Sequence, residues 1–366
     1  MGFNCGIVGL PNVGKSTLFN ALTATAAAEA ANFPFCTIEP NVGRVAVPDE
    51  RLAKITEIAK SAKTVPTQLE FVDIAGLVRG ASKGEGLGNQ FLANIREVDA
   101  VVHVLRCFAD DNVTHVDGDM DPVRDAETVE TELMLADMES LEKRVTPLTK
   151  KARGGDRDAN QQLELVEQAL AHLQDGQPLR RMGLAEGSGK GMRLLQMLTA
   201  KPVLYVCNVD EADAAGGNEQ SERIAVMAAE QGAEAVVISA KIESEVATLA
   251  DEEERVEYLE ALGLAETGLS RVIHAGYGLL DLITFFTAGP KESRAWTLHK
   301  GSKAPQAAGA IHTDFERGFI RAETIAYDDF LACGGEQGAK DAGKMRQEGK
   351  DYVVHDGDVM LMRFNV

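Results

Sequence analysis

Basic residues are scarce in this chain. Its 366 residues hold 37 Lys and Arg against 57 Asp and Glu, a formal charge of −20. Such a balance keeps a chain soluble and argues against indiscriminate binding to nucleic acid. The deficit is uneven: Ile283–Val366 carries −1 and residues 1–282 carry −19, so the C-terminal segment is the part least repelled by a polyanion. Cysteine is also sparse. The five (Cys5, Cys36, Cys107, Cys207, Cys333) are odd in number and form no C-x-x-C, so neither a disulfide framework nor a zinc site is implied, and a reducing cytoplasm is the expected setting. No apolar stretch reaches the ~18 residues of a membrane span. The N-terminus lacks the basic n-region of a secretory signal, and Met1-Gly2 has no Ser or Thr at position 6 for myristoylation. Internal repeats and low-complexity tracts are absent.

What is present starts at once. Residues 9–16 read Gly-Leu-Pro-Asn-Val-Gly-Lys-Ser, a complete P-loop, after the apolar run Phe3–Val8 and before the helical stretch Ser16–Leu22. Strand, glycine-rich loop and helix are the context this motif requires. Backbone N–H groups over Asn12, Val13, Gly14, Lys15, Ser16 and Thr17 converge with a helix N-terminus on phosphate, and Gly9 and Gly14 allow close backbone approach. Lys15 is expected on the β/γ oxygens and Ser16 on Mg²⁺. The motif reads as a nucleoside triphosphate site.

The length predicts two or three domains. Apolar runs at 3–9, 43–47, 69–74, 99–106, 202–208 and 235–239 alternate with helical segments. Several are continuous, as in Val101–Leu105, which fits strands of a mostly parallel sheet buried on both faces. The fold class is therefore α/β, a doubly wound P-loop domain. Between the fourth and fifth runs, Met134, Met138, Leu141, Val145 and Leu148 recur at heptad-like spacing, as do Leu163, Val166, Leu170 and Leu173. A turn-rich stretch, Thr149–Arg157, separates them. This pattern predicts an antiparallel helical hairpin of coiled-coil type. Its tip carries Lys143, Arg144, Lys150, Lys151, Arg153 and Arg157, either a plain solvated helix end or a basic contact surface. Beyond Gly289-Pro290, short strands at Ala295–Leu298, Thr324–Ala326 and Val359–Phe364 between glycine-rich turns predict a small α+β domain.

Val72-Asp73-Ile74-Ala75-Gly76 places a carboxylate and a glycine at the end of the third run. One strand after a P-loop, Asp73 is the expected outer partner of Mg²⁺ and Gly76 the γ-phosphate N–H. Gly80–Gly88 has four glycines in nine residues, a composition suited to an order–disorder switch. Upstream, Thr37 offers a second hydroxyl for Mg²⁺. Asn208-Val209-Asp210-Glu211 and Ser239-Ala240-Lys241 close two further runs, where open α/β sheets bind ligands. Asn208, Val209, Glu211, Ser239 and Ala240 are thus candidates for the base. A guanine-specific site has Lys where Val209 stands and Asp where Glu211 stands, so the pattern leans toward ATP or a relaxed preference. Leu77 occupies the place of a water-orienting Gln and cannot hydrogen-bond to water. His115, in the loop after the fourth run, is the candidate for that task, with a plain exposed loop histidine as the competing reading.

Together these motifs closely resemble the YchF branch of the Obg-like translation-factor P-loop NTPases. The match runs through Gly9–Ser16, Asn32–Thr37, Asp73–Gly76, Asn208–Glu211 and Ser239–Lys241, and on through Ala304–Glu316 and Gly349–Tyr352. Leu77 matches the hydrophobic residue which that branch carries in place of Gln. The resemblance implies Mg²⁺-dependent hydrolysis of ATP, with GTP accepted more weakly. It also implies binding to the ribosome through the 50S subunit and rRNA, no membrane and no DNA specificity. The expected organisation is an NTPase domain at 1–125 and 200–282, a helical insertion at 126–199, and a β-grasp TGS domain at 283–366. The competing function is a nucleotide-gated binding module whose hydrolysis is incidental.

Overall fold

The computed structural model describes residues 3–30, 41–74, 87–109, 120–183, 189–249 and 251–365. Its strands are β1 (Asn4–Val8), β2 (Val42–Ala46), β3 (Thr64–Val65), β4 (Gln68–Asp73), β5 (Ala100–Arg106), β6 (Val203–Asn208), β7 (Glu234–Ile238), β8 (Leu282–Ala288), β9 (Ser293–His299), β10 (Phe319–Ile325), β11 (Arg346–Glu348) and β12 (Val359–Phe364). The first five helices are α1 (Lys15–Ala30), α2 (Glu50–Ala59), α3 (Leu87–Glu97), α4 (Pro122–Arg153) and α5 (Arg157–Gln174). The chain forms two compact units: Phe3–Gly43 with Glu70–Gly276, and Arg44–Leu69 with Tyr277–Val366.

The first sheet has the order β2-β4-β1-β5-β6-β7. β1 pairs in parallel with β4 and β5, β5 with β6, and β6 with β7. The six apolar runs of the sequence coincide with these six strands. β5 and β6 are buried along their whole length, as continuous apolar runs require. The chain leaves β1 toward one side of the sheet and β5 toward the other, so the topological switch point lies at the carboxyl ends of β1 and β5.

α4 and α5 form the predicted hairpin. Thr149–Arg153, expected in the turn, continue α4 instead, with the Thr149 hydroxyl donating to the Val145 carbonyl at 2.8 Å. Only Gly154–Asp156 turn the chain; Gly155 has φ +90°, and Asp156 accepts from Ala159 N at 3.1 Å to start α5. Leu141 and Val166 are fully buried at the seam with Leu173, and Met134, Met138, Val145, Leu148 and Leu170 pack beside them. Leu179, Met192, Leu195 and Met197 from the returning chain complete that core. The hairpin is anchored by Asp137, a fully buried carboxylate that accepts from Leu198 N (2.9 Å), Thr199 N (2.8 Å) and Thr199 Oγ1 (2.8 Å). Burial pushes its carboxyl upward despite those three donors. Nearby, Arg180 holds Glu130 through both nitrogens (3.0 and 2.5 Å) and shares the Gln231 side-chain oxygen with Tyr205.

His103 on β5 faces Tyr205 on β6, with ring centroids 5.8 Å apart. Its Nε2 is buried without a hydrogen-bond partner among the described residues. Desolvation first, then the Arg180 charge, lowers its pKa from 6.5 to about 3. Between those values the unfolded chain binds a proton that the folded chain refuses, so stability falls as pH drops through that window. From pH 7 to pH 5 this one group should remove about 2 kcal/mol. Denaturant titrations at both pH values test this: His103→Phe should lose about that much less than the unaltered chain, and equal losses would refute it.

The second unit is built on the sheet β11-β10-β12-β8-β9-β3. β8 and β9 pair antiparallel, β10 pairs antiparallel with β11 and β12, and β12–β8 and β3–β9 are parallel. Alternation along β8 sends Phe285 to one face and Phe286 to the other. Phe285 meets Leu298, Ala307, Ala308 and Met360, whereas Phe286 meets Leu52, Ile55, Phe330 and Val359. Leu52 and Ile55 belong to α2, which is capped by Asp49 and closed by Lys60 at φ 52°. α2 and β3, expected with the NTPase domain, therefore join the C-terminal unit, because the apolar face of α2 finds its partners there and β3 pairs with β9. That unit also begins earlier than 283, since β8 is its central strand.

Candidate functional site

The P-loop joins β1 to α1. Asn12 has φ +65° and Gly14 φ +93°, a left-handed backbone that is costly for most side chains. A Cβ at Gly14 would collide with the Asn208 amide, and one at Gly9 would lie 2.6 Å from the Val104 carbonyl oxygen. Gly9 is thus fixed by close approach, and Gly14 by close approach and conformation together. Gly14 C=O accepts the first turn of α1 from Leu18 N at 2.9 Å, and Ser16 and Thr17 are exposed at that turn.

Lys15 and Asp73 meet, 58 residues apart in sequence. Lys15 Nζ donates to Asp73 Oδ1 at 3.2 Å and to the Ile74 carbonyl at 2.9 Å. The pair is only partly screened, with side chains 11% and 20% exposed. It places a cation and a carboxylate at the carboxyl ends of β1 and β4, beside the switch point.

Asn208 at the end of β6 is 4% exposed and spends its amide inside the protein. Nδ2 donates to the Val13 carbonyl at 3.0 Å, and Oδ1 accepts from Ala240 N at 2.9 Å. It thereby braces the P-loop against the start of the helix Ala240–Val246. Val209 is buried in the core, and its N–H donates to Ile238 C=O at 2.8 Å. It is one of the base candidates of the sequence, and its side chain packs inward. Glu211 is more exposed and accepts from Lys241 Nζ at 2.6 Å. That hydrogen bond holds the Lys241 ammonium above its ordinary pKa. Ser239 Oγ is buried with no partner among the described residues. Glu243, which the sequence did not single out, accepts from Gly268 N (2.7 Å) and Leu269 N (3.2 Å) and so fixes the start of the helix Gly268–Leu279. Its only sequence signal is its place four residues after Ser239.

Thr37, Gly76, Leu77, His115 and most of the glycine-rich stretch 80–88 lie outside the described residues. The remaining donors suited to a metal, the Ser16 hydroxyl and the Asp73 carboxylate, are hard oxygens of the kind Mg²⁺ prefers.

Two family models match this chain. One described as a 50S ribosome-binding GTPase spans residues 4–144, and the C-terminal model of YchF GTPases, described as a protein of unknown function, spans 282–365. The protein named ribosome-binding ATPase YchF from Escherichia coli O157:H7 is 57% identical over 366 residues, covering all of both chains. Its namesake from Bacillus subtilis is 57% identical over 368 residues, again covering both chains fully. The solved structure of the Schizosaccharomyces pombe YchF GTPase superposes with a TM-score of 0.90 at 38% identity, covering 99% of this chain and 98% of its own. With its P-loop, braced base-side loop and full-length likeness to these proteins, the chain belongs to the YchF subfamily of P-loop GTPases.

Proposed function

We propose that this chain is a Mg²⁺-dependent ATPase, with GTP as a weaker substrate, whose nucleotide state governs binding to the ribosome. The observation that carries the reading is Lys15 held by Asp73 and the Ile74 carbonyl at the head of the P-loop. A triphosphate takes over that ammonium, which then neutralises charge on the β/γ oxygens as the bond breaks. Ser16, Thr37 and Asp73 are the residues that would hold Mg²⁺, which when bound supplies further charge neutralisation. Gly76 N–H and the backbone of Asn12–Thr17 complete the phosphate cradle. His115 is the proposed water-positioning residue, needed because Leu77 cannot serve.

Base choice follows from the same loops. Guanine recognition needs a carboxylate free to accept from N1–H and the 2-amino group, whereas a Glu211 oxygen is engaged by Lys241. The buried Ser239 hydroxyl is a candidate polar contact to an adenine base. In competition, ATP should displace GTP, and Glu211→Asp should move the preference toward GTP about tenfold, the scale of one hydrogen bond to a charged group. Unmoved affinities would overturn this account of selection.

The hairpin 126–199 and the C-terminal segment 283–366, which we read as a TGS module, are the proposed ribosome-facing parts. The 50S subunit and its rRNA are the proposed contacts, in the cytoplasm. Relatives named ribosome-binding ATPases, 57% identical to this chain, support the ribosome-binding part of this reading. Purified ribosomes should co-sediment with the chain and accelerate phosphate release from ATP. If they bind but leave the rate flat, the chain is instead a nucleotide-gated binding module, the reading that Leu77 favours.

A further inference from the structure

Near the tip of the hairpin, α4, α5 and the helix Gly189–Leu195 enclose a groove of about 330 Å³. Its apolar lining comes from Pro147, Leu148, Leu165, Leu194 and Leu195. Leu194 is 68% exposed, the most exposed of the large apolar side chains described. Among the described residues the charged members of the lining are Lys143, Arg144 and Lys151, and none is acidic. Lys143 shares an exposed helical pair with Glu139, and neither Arg144 nor Lys151 has a carboxylate partner among the described residues. An apolar slot whose charged residues, among those described, are all cationic therefore sits on a chain whose net charge is −20.

A solvated helix end accounts for the lysines but not for Leu194 over a slot. RNA accounts for the cations, yet phosphate gains nothing from aliphatic walls, and the lining offers no aromatic ring on which an unstacked base could rest. A protein segment uses both features: its carboxylates meet the rim, and its apolar anchors fill the slot, as an amphipathic helix does in a hydrophobic groove. We propose that this groove docks an acidic, apolar-anchored segment of a ribosomal protein. The proposal rests on the ribosome-binding reading above and assigns this part of that contact to protein rather than to rRNA.

The test uses the full chain and purified ribosomes. Leu194→Glu and Lys151→Glu should each weaken co-sedimentation about tenfold while leaving ATP affinity unchanged, which also reports that the variants are folded. A photoreactive side chain, Leu194→p-benzoylphenylalanine, should form its adduct with a ribosomal protein, and digestion should place it in an acidic segment. An adduct with rRNA alone or with a second copy of this chain would overturn the proposal, as would unchanged ribosome affinity in both charge variants. If the unaltered chain does not sediment with ribosomes, the ribosome-binding reading itself falls. The two failures are thus distinct.

Discussion

Lys15→Ala should weaken ATP binding about 10- to 100-fold and slow single-turnover hydrolysis by a further factor of about 100 or more. The first figure is the scale of losing a hydrogen-bonded charge contact to an anionic ligand. The second is what removal of one preorganised donor at a developing charge costs. The geometry explains why the effect falls on function rather than on folding. Lys15 bonds to Asp73 and the Ile74 carbonyl, but both members of the ion pair retain some exposure, so water can take the place of the ammonium beside Asp73 when Lys15 is removed. The variant should therefore melt close to the unaltered chain while failing to retain a fluorescent ATP analogue. Full ATP affinity in Lys15→Ala would refute the assignment of the site.

The same pair shows what sequence could and could not reveal. Lys15 was legible because the P-loop is local: its spacing encloses the phosphate site within eight residues. The sheet was legible because strands buried on both faces must be continuously apolar, as in β5 and β6. The hairpin was legible from heptad-like spacing, although Leu163 lies outside the buried seam and Ala169 lies inside it. The fate of α2 was not legible. Its apolar residues Leu52 and Ile55 look like any amphipathic face, and only Phe286 and Phe330, more than 200 residues later, show which core they join. β8 was hidden in another way. Leu282–Ala288 reads as a boundary between domains until its pairing with β9 and β12 makes it central.

Asn208 has a structural role that its position in the sequence does not reveal, and its replacement should have the largest effect on stability. Position alone marks it as a base contact, since it ends β6 at the ligand edge. Its amide spans from Val13 C=O to Ala240 N, partners that lie 195 residues before it and 32 after it in the chain. Asn208→Ala leaves a buried acceptor and a buried donor unpaired, each at about 1–3 kcal/mol. The combined loss should reach about 2–5 kcal/mol, a large fraction of the stability of an ordinary domain. Asn208→Asp separates the two roles of the amide. The carboxylate can still accept from Ala240 N but cannot donate to Val13 C=O, and it sets a negative charge against that carbonyl. Urea denaturation should therefore place the Asp variant below the unaltered chain, and ATP affinity should fall in both variants because the P-loop loses its brace. If Asn208→Ala unfolds at the same urea concentration as the unaltered chain and binds ATP as tightly, the amide does not brace the loop.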